Sequence, residues 1–131
     1  MKVTKSLVWI AVLAGGCGAD SGACPAADLT VPTTQTLVSL SVEQRQEVCD
    51  ATVCSLGGYG VKLSCSSGLA ITVAASRQQC VAQEPTNPAC RATVEDLLRC
   101  TEAIQANPCA STVFSTACEA VSDPACLVFT T

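Results

Sequence analysis

The sequence predicts a small disulfide-rich domain, mainly α-helical with one short β-hairpin: a helix, the hairpin, then two to three further helices. Three observations lead there. The 131 residues contain 11 cysteines and no histidine. Large side chains for a core are scarce, with two Phe, one Tyr and one Trp; cross-links worth roughly 2–4 kcal/mol each are the natural substitute for the missing area burial. Capping signatures open apolar runs of helical period, and a glycine-rich turn leads into two short strand-like segments.

Taken in order, residues 1–16 read as a signal peptide. Lys2 and Lys5 precede the apolar run LVWIAVLA (7–14), which ends in Gly15 and Gly16, the order of a segment that directs export and is then removed. The run falls well short of the roughly 20 apolar residues that a permanent membrane-spanning helix requires. Residues 17–38 read as a flexible tether, because GADSGACPAADLTVPTTQT (18–36) is rich in Gly, Pro, Ser and Thr and has no sustained periodicity. A disulfide-stapled globular domain is expected over residues 39–131.

Within that domain, SVEQRQEVCDATVCS (41–55) predicts a helix over 42–55. Ser41 and Gln44 form a capping pair, Val42, Val48, Ala51 and Val53 offer an apolar side, and Gly57 and Gly58 end it. Val61–Cys65 and Leu69–Val73 predict a hairpin joined through Ser66, Ser67 and Gly68. A second helix is expected from Ser76 to Gln83, stopping before Pro85. The third has the clearest period: Thr93 caps over Asp96, and Val94, Leu97, Leu98, Thr101 and Ile104 recur at helical spacing until Asn107 and Pro108. Ser111–Val121 predicts a weaker helix, and LVF (127–129) a terminal strand or a core plug.

The cysteines divide into one and ten. An odd cysteine in an exported chain requires an explanation. LAGGC (13–17) resembles the lipobox of bacterial lipoproteins, in which the cysteine after small residues is acylated, by palmitate among other chains, and becomes the new first residue. Here Leu13 stands four places before the cysteine rather than three. The resemblance implies lipid attachment at Cys17, a membrane partner reached through that lipid, and location in a bacterial envelope. Gly18 is not the aspartate of an inner-membrane retention signal, so the outer membrane is the expected site, facing the periplasm or the cell surface. Cleavage near Gly16 or Ala19 with simple secretion is the alternative.

The remaining cysteines, Cys24, Cys49, Cys54, Cys65, Cys80, Cys90, Cys100, Cys109, Cys118 and Cys126, can form five bridges. Export into an oxidising compartment lets such bridges persist. Zinc and iron–sulfur sites favour C-x2-C pairs, often with histidine, and the chain has neither. Helix geometry suggests two pairings. Cys49 and Cys54 stand about 140° apart on their helix and must face different partners. A strand rising about 3.3 Å per residue beside a helix at about 1.5 Å brings Cys65 level with Cys49. The expected bridges are Cys49–Cys65 and Cys54–Cys80.

Without residues 1–16 the chain keeps five basic against 11 acidic residues, a formal charge of about −6. That balance, the lack of a basic cluster and the scarcity of aromatics exclude nucleic acid as an expected partner. No histidine is present to pair with a nucleophile. Glu43 with Glu47, and Glu95 with Asp96, sit where acids suit helix first turns and polar faces rather than a catalytic cleft. GGYG (57–60) reads as a helix stop, since no helix begins after it. No enzymatic activity and no cofactor are therefore expected.

EVCDATVCSLGGYG (47–60), followed by a cysteine-bearing hairpin and a late helix ending in NPC (107–109), resembles a group of uncharacterised cysteine-rich lipoproteins of myxobacteria. The likeness runs over roughly residues 40–126, without the tryptophan that group would carry after Asp50. It implies an envelope location and no particular activity. The expected function is a membrane-anchored extracytoplasmic lipoprotein that binds an unidentified envelope protein or glycan, or serves a structural role there. The alternatives are a secreted inhibitor-like or toxin-like module and a thiol-redox or metal-binding protein.

Overall fold

The computed structural model describes residues 28–110 and 116–128. The expected signal peptide, Cys17 and Cys24 lie outside these residues. The chain runs through a 3-10 turn at Leu37–Ser39, helix α1 (Val42–Ser55), strands β1 (Lys62–Ser64) and β2 (Ala70–Thr72), helices α2 (Arg77–Ala82) and α3 (Val94–Ala106), and a 3-10 turn at Pro124–Cys126. It is mainly helical and disulfide-rich.

Both long helices begin with reciprocal caps. The Gln44 N–H donates to Ser41 Oγ at 3.2 Å while the Ser41 N–H donates to Gln44 Oε1 at 2.9 Å. Thr93 and Asp96 repeat the exchange at 3.2 and 2.9 Å, satisfying amides that the first helical turn leaves without partners. Gly57 and Gly58 then take φ of 111° and 115°, which L side chains adopt with strain, and turn the chain out of α1. β1 and β2 pair antiparallel with Leu63 opposite Ile71. Both side chains pack on a small cluster of Cys100, Ile104 and Cys118.

The main core lies elsewhere, between α1, α3 and the N-terminal segment. Val31, Leu37, Leu40, Val48, Ala92, Val94, Cys90 and Cys126 form it. Residues 31–37 of the expected tether (17–38) belong instead to the folded part. Val31 and Leu37 are 5% and 2% exposed, and Thr36 pairs with Thr93 in a β-bridge. Leu37 N–H donates to Ala92 O at 2.9 Å and Glu95 N–H to Thr33 O at 2.8 Å. Pro and Thr made this stretch look unstructured, but its few apolar residues are spaced to enter a core that α1 and α3 cannot close alone.

Four disulfides join described residues: Cys49–Cys80, Cys65–Cys109, Cys90–Cys126 and Cys100–Cys118. The expected Cys49–Cys65 and Cys54–Cys80 bridges do not form. α2 packs against α1, so Cys80 meets Cys49 across the helix interface. The hairpin leaves α1 and lies toward the end of α3, where Cys65 meets Cys109. Cys54 is disulfide-bonded to a partner outside the described residues.

Toward the C-terminus, residues 111–115 of the expected fourth helix lie outside the described residues, and 118–122 run as turns rather than α-helix. Leu127 and Val128 are 46% and 37% exposed, neither strand nor plug; Phe129 is outside the described residues. Among the described residues no helix is long and apolar enough to cross a membrane.

Candidate functional site

The site with the most unusual chemistry lies where α1 and α2 meet the C-terminal turns. Its walls are a cavity of about 410 Å³ formed by Leu37, Leu97, Val121, Leu127 and Val128 on the apolar side and Thr52, Cys80 and Glu84 on the polar side. α1 supplies Thr52, whose hydroxyl donates to Val48 O at 2.9 Å. α2 supplies Cys80. Glu84 follows Gln83, the C-cap of α2, and its side chain is buried.

Glu84 is 6% exposed. Its Oε1 lies 3.8 Å from Cys49 Sγ. A disulfide sulfur has no hydrogen to give, so this contact is a hydrogen bond only when the carboxyl is protonated and donates. The electrostatics agree. Burial raises the Glu84 pKa to about 7, against a weaker opposing pull from the Arg45 guanidinium. Arg45 is itself engaged by backbone, donating from Nε to Leu40 O at 3.2 Å and from Nη1 to Pro85 O at 3.4 Å. Glu84 is thus a carboxyl that holds a proton near neutral pH at the wall of an apolar cavity, the combination that marks binding and proton-transfer sites.

Cys49, Cys80 and Glu84 place their ligand atoms within 4.8 Å of one another. Those are metal-binding distances, but the two sulfurs are bonded to each other and are not available as thiolates.

A second polar cluster joins the same two helices from outside. Arg77 donates from Nε and Nη2 to the two oxygens of Asp50, and Tyr59 O–H donates to Asp50 Oδ1 at 2.6 Å. Burial works to raise the Asp50 pKa, but the hydrogen bonds from Arg77 and Tyr59 outweigh it and hold the carboxyl below its ordinary value. Tyr59 is pushed up to about 12 by burial and by the carboxylate it faces. Both carboxylate oxygens of Asp50 and the Tyr59 hydroxyl have strong partners, so the cluster is a clamp between helices rather than a reactive site.

A groove of about 500 Å³ beside α3 is lined by Arg91, Asp96, Arg99, Glu119 and Asp123 among others. Arg99 pairs within its own helix with Glu95 at 3.4 Å and Asp96 at 3.7 Å, and the groove holds no buried unpartnered group.

Of the acids weighed in the sequence, Glu47 and Asp96 have structural roles. Glu47 accepts from the Thr30 and Val31 amides and from Thr30 Oγ1, and Asp96 caps α3. GGYG is a turn that brings Tyr59 to Asp50. Glu84 and the Asp50 cluster were not legible as sites. Asp50 left one trace, a lone acid inside the apolar run VCDATV, whereas Glu84 in AQEPT reads as an ordinary surface loop.

No family model, no curated protein and no solved structure matches the chain. The disulfide-dense build belongs to an oxidising, extracytoplasmic environment.

Proposed function

We propose that this protein is a lipid-anchored binding domain of the bacterial cell envelope, held to the outer membrane by acyl chains on Cys17, and that it takes a small, largely apolar ligand into the Glu84 cavity. The observation that carries the binding reading is Glu84 itself. Glu84 is 94% removed from solvent, and among the described residues its close polar contact is the Cys49 sulfur; a carboxyl buried in this way costs several kcal/mol if it is charged and has no donor. A ligand with an apolar body and one donor would satisfy it.

Cysteine arithmetic supports the anchor. Cys54 is bonded outside the described residues, where the chain has just Cys17 and Cys24. Acylation of Cys17 leaves Cys24 to pair with Cys54, and no thiol is then left over.

The test is the intact mass of the membrane-extracted protein from its native host, alkylated once without reduction and once after it. An acylated mass with no label before reduction and ten after it supports the anchor and the five bridges together. An unacylated mass with labels before reduction rejects both. Binding is read separately, by titrating the detergent-solubilised chain with 1-hexanol and following amide shifts at Leu37, Thr52 and Leu97. Shifts confined to the cavity support the reading, and their absence at millimolar probe rejects it.

A further inference from the structure

The bridge at the wall of the cavity has two unlike ends. Cys49 is fully buried, at 0% exposure. Cys80 is partly exposed and lines the cavity. A molecule in the cavity therefore meets Cys80, while Cys49 is not among the lining residues and stands on the interior side. Glu84 lines the same cavity, and its carboxyl lies against the interior sulfur, 3.8 Å from Cys49 Sγ.

Thiol–disulfide exchange needs this arrangement. The attacking thiolate approaches one sulfur, and the other sulfur departs with the electron pair. A departing thiolate in the interior has no water to stabilise it and would be strongly disfavoured unless it gains a proton at once. The charged group whose field reaches Glu84 is Arg45 on α1, and its guanidinium is committed to the carbonyls of Leu40 and Pro85. Glu84 is the acid that the structure places beside the Cys49 sulfur.

We propose that the cavity is a thiol–disulfide exchange site, in which a small thiol compound attacks Cys80 and Glu84 protonates the departing Cys49. The incoming sulfur bonds to Cys80 Sγ as the Cys80–Cys49 bond breaks. The bonding pair goes to Cys49 Sγ, which takes the Glu84 proton and becomes a thiol, leaving Glu84 as carboxylate to be reprotonated from solvent. A second thiolate then displaces Cys80 from the mixed disulfide, and Cys80 takes a proton from water. In sum the bridge is reduced to two thiols and two thiol molecules are oxidised to one disulfide. This goes beyond the binding reading: it uses the same cavity but requires neither the lipid nor a resident ligand.

The test exposes the full detergent-extracted protein to 2-mercaptoethanol from pH 6 to 8.5, quenches with acid, alkylates free thiols and maps the adducts by peptide mass spectrometry. The Cys65–Cys109 bridge is the internal control, since Cys109 is exposed and the buried acids among the described residues, Asp50 and Glu84, contact Tyr59, Arg77 and Cys49 instead. The expected result is the mercaptoethanol adduct on Cys80 and an alkylated Cys49. The rate of that step, divided by the control rate, falls as pH rises through about 7. In Glu84→Gln the ratio drops about tenfold or more and loses its pH dependence, because an amide has no acidic proton; Glu84→Asp keeps an intermediate value. An adduct on Cys49, or a ratio unchanged in Glu84→Gln, overturns the proposal. The adduct position in the unaltered protein decides the direction of attack whether or not the variants fold.

Discussion

Arg77 at the start of α2 holds Asp50 in the middle of α1 in a two-pronged pair, Nε to Oδ1 at 2.9 Å and Nη2 to Oδ2 at 2.5 Å. The carboxylate is 9% exposed and the guanidinium 48%, so water screens one partner and barely reaches the other. With Cys49–Cys80 it forms the second tie between the same two helices. A six-residue helix such as α2 cannot persist alone, and these two ties explain why it forms.

Arg77→Ala leaves Asp50 buried with Tyr59 as its one remaining donor. Breaking a fully buried pair costs about 3–5 kcal/mol, and the exposure of Arg77 brings the expectation down to about 2 kcal/mol. Urea denaturation should show a lower midpoint with an unchanged slope. Asp50 has a lowered pKa in the folded chain, so its contribution is fully present above the ordinary carboxylate range and is lost as pH falls through the lowered value. The gap between the parent and Arg77→Ala should therefore close in acid.

Glu84 gives the opposite pH dependence. Its folded pKa is raised to about 7 from a model-compound value of 4.5. Between those values the folded chain binds more protons than the unfolded chain, so stability declines as pH rises across that window. The full difference corresponds to roughly 3 kcal/mol. Glu84→Gln should remove this slope, and the variant should be the more stable protein at pH 8. Midpoints measured at pH 5, 6, 7 and 8 check it; parallel curves for parent and variant would mean that Glu84 is ionised in the folded chain.

These groups separate what the sequence reveals from what it hides. α1 was legible to the residue, at Val42–Ser55, because cap, glycine stop and local hydrogen bonding all act within a few positions. α3 was legible for the same reason, and so was the hairpin. The partners of Cys49 and Cys65 were not, since they depend on the direction in which the chain leaves Gly57 and Gly58. As the chain runs, Leu63 of β1 packs on Cys100 and Ile104 of α3 rather than on α1. The burial of Asp50 and Glu84 likewise depends on packing between distant segments. Val42 shows the converse: its position suggested the apolar face of α1, yet it is 58% exposed, because Leu37 and Leu40 fill the core beside the cap and the buried face of α1 begins only at Val48.

The N-terminal segment is fastened by Glu47, which takes hydrogen bonds from Thr30 and Val31. The backbone hydrogen bond from Thr30 is the largest influence on its pKa, which is lowered. Glu47→Ala removes the acceptor for all three donors while leaving Val31 and Leu37 free to enter the core. Hydrogen exchange should therefore quicken at Thr30 and Val31, with the Leu37 amide still protected by Ala92 O and the Val94 amide by Gln35 O. If all four amides lose protection together, the segment is a single cooperative unit with the core and Glu47 is one of its main supports.

The disulfides differ in a way that loop length does not capture. Cys90–Cys126 and Cys65–Cys109 close loops of similar length, 36 and 44 residues, and the chain-entropy account assigns about 4 kcal/mol to each. Their surroundings are unlike. Cys90 and Cys126 are 1% and 6% exposed and belong to the main core, whereas Cys109 is exposed at the surface. Replacing the first pair by alanine removes two packed sulfurs in addition to the cross-link and leaves space that Val31, Leu37 and Val94 must fill, a further loss of order 1–2 kcal/mol. The Cys90→Ala/Cys126→Ala double variant should therefore unfold at a lower urea concentration than Cys65→Ala/Cys109→Ala. Equal midpoints would show that the bridges act through the unfolded chain alone and that the cysteines contribute nothing as core side chains.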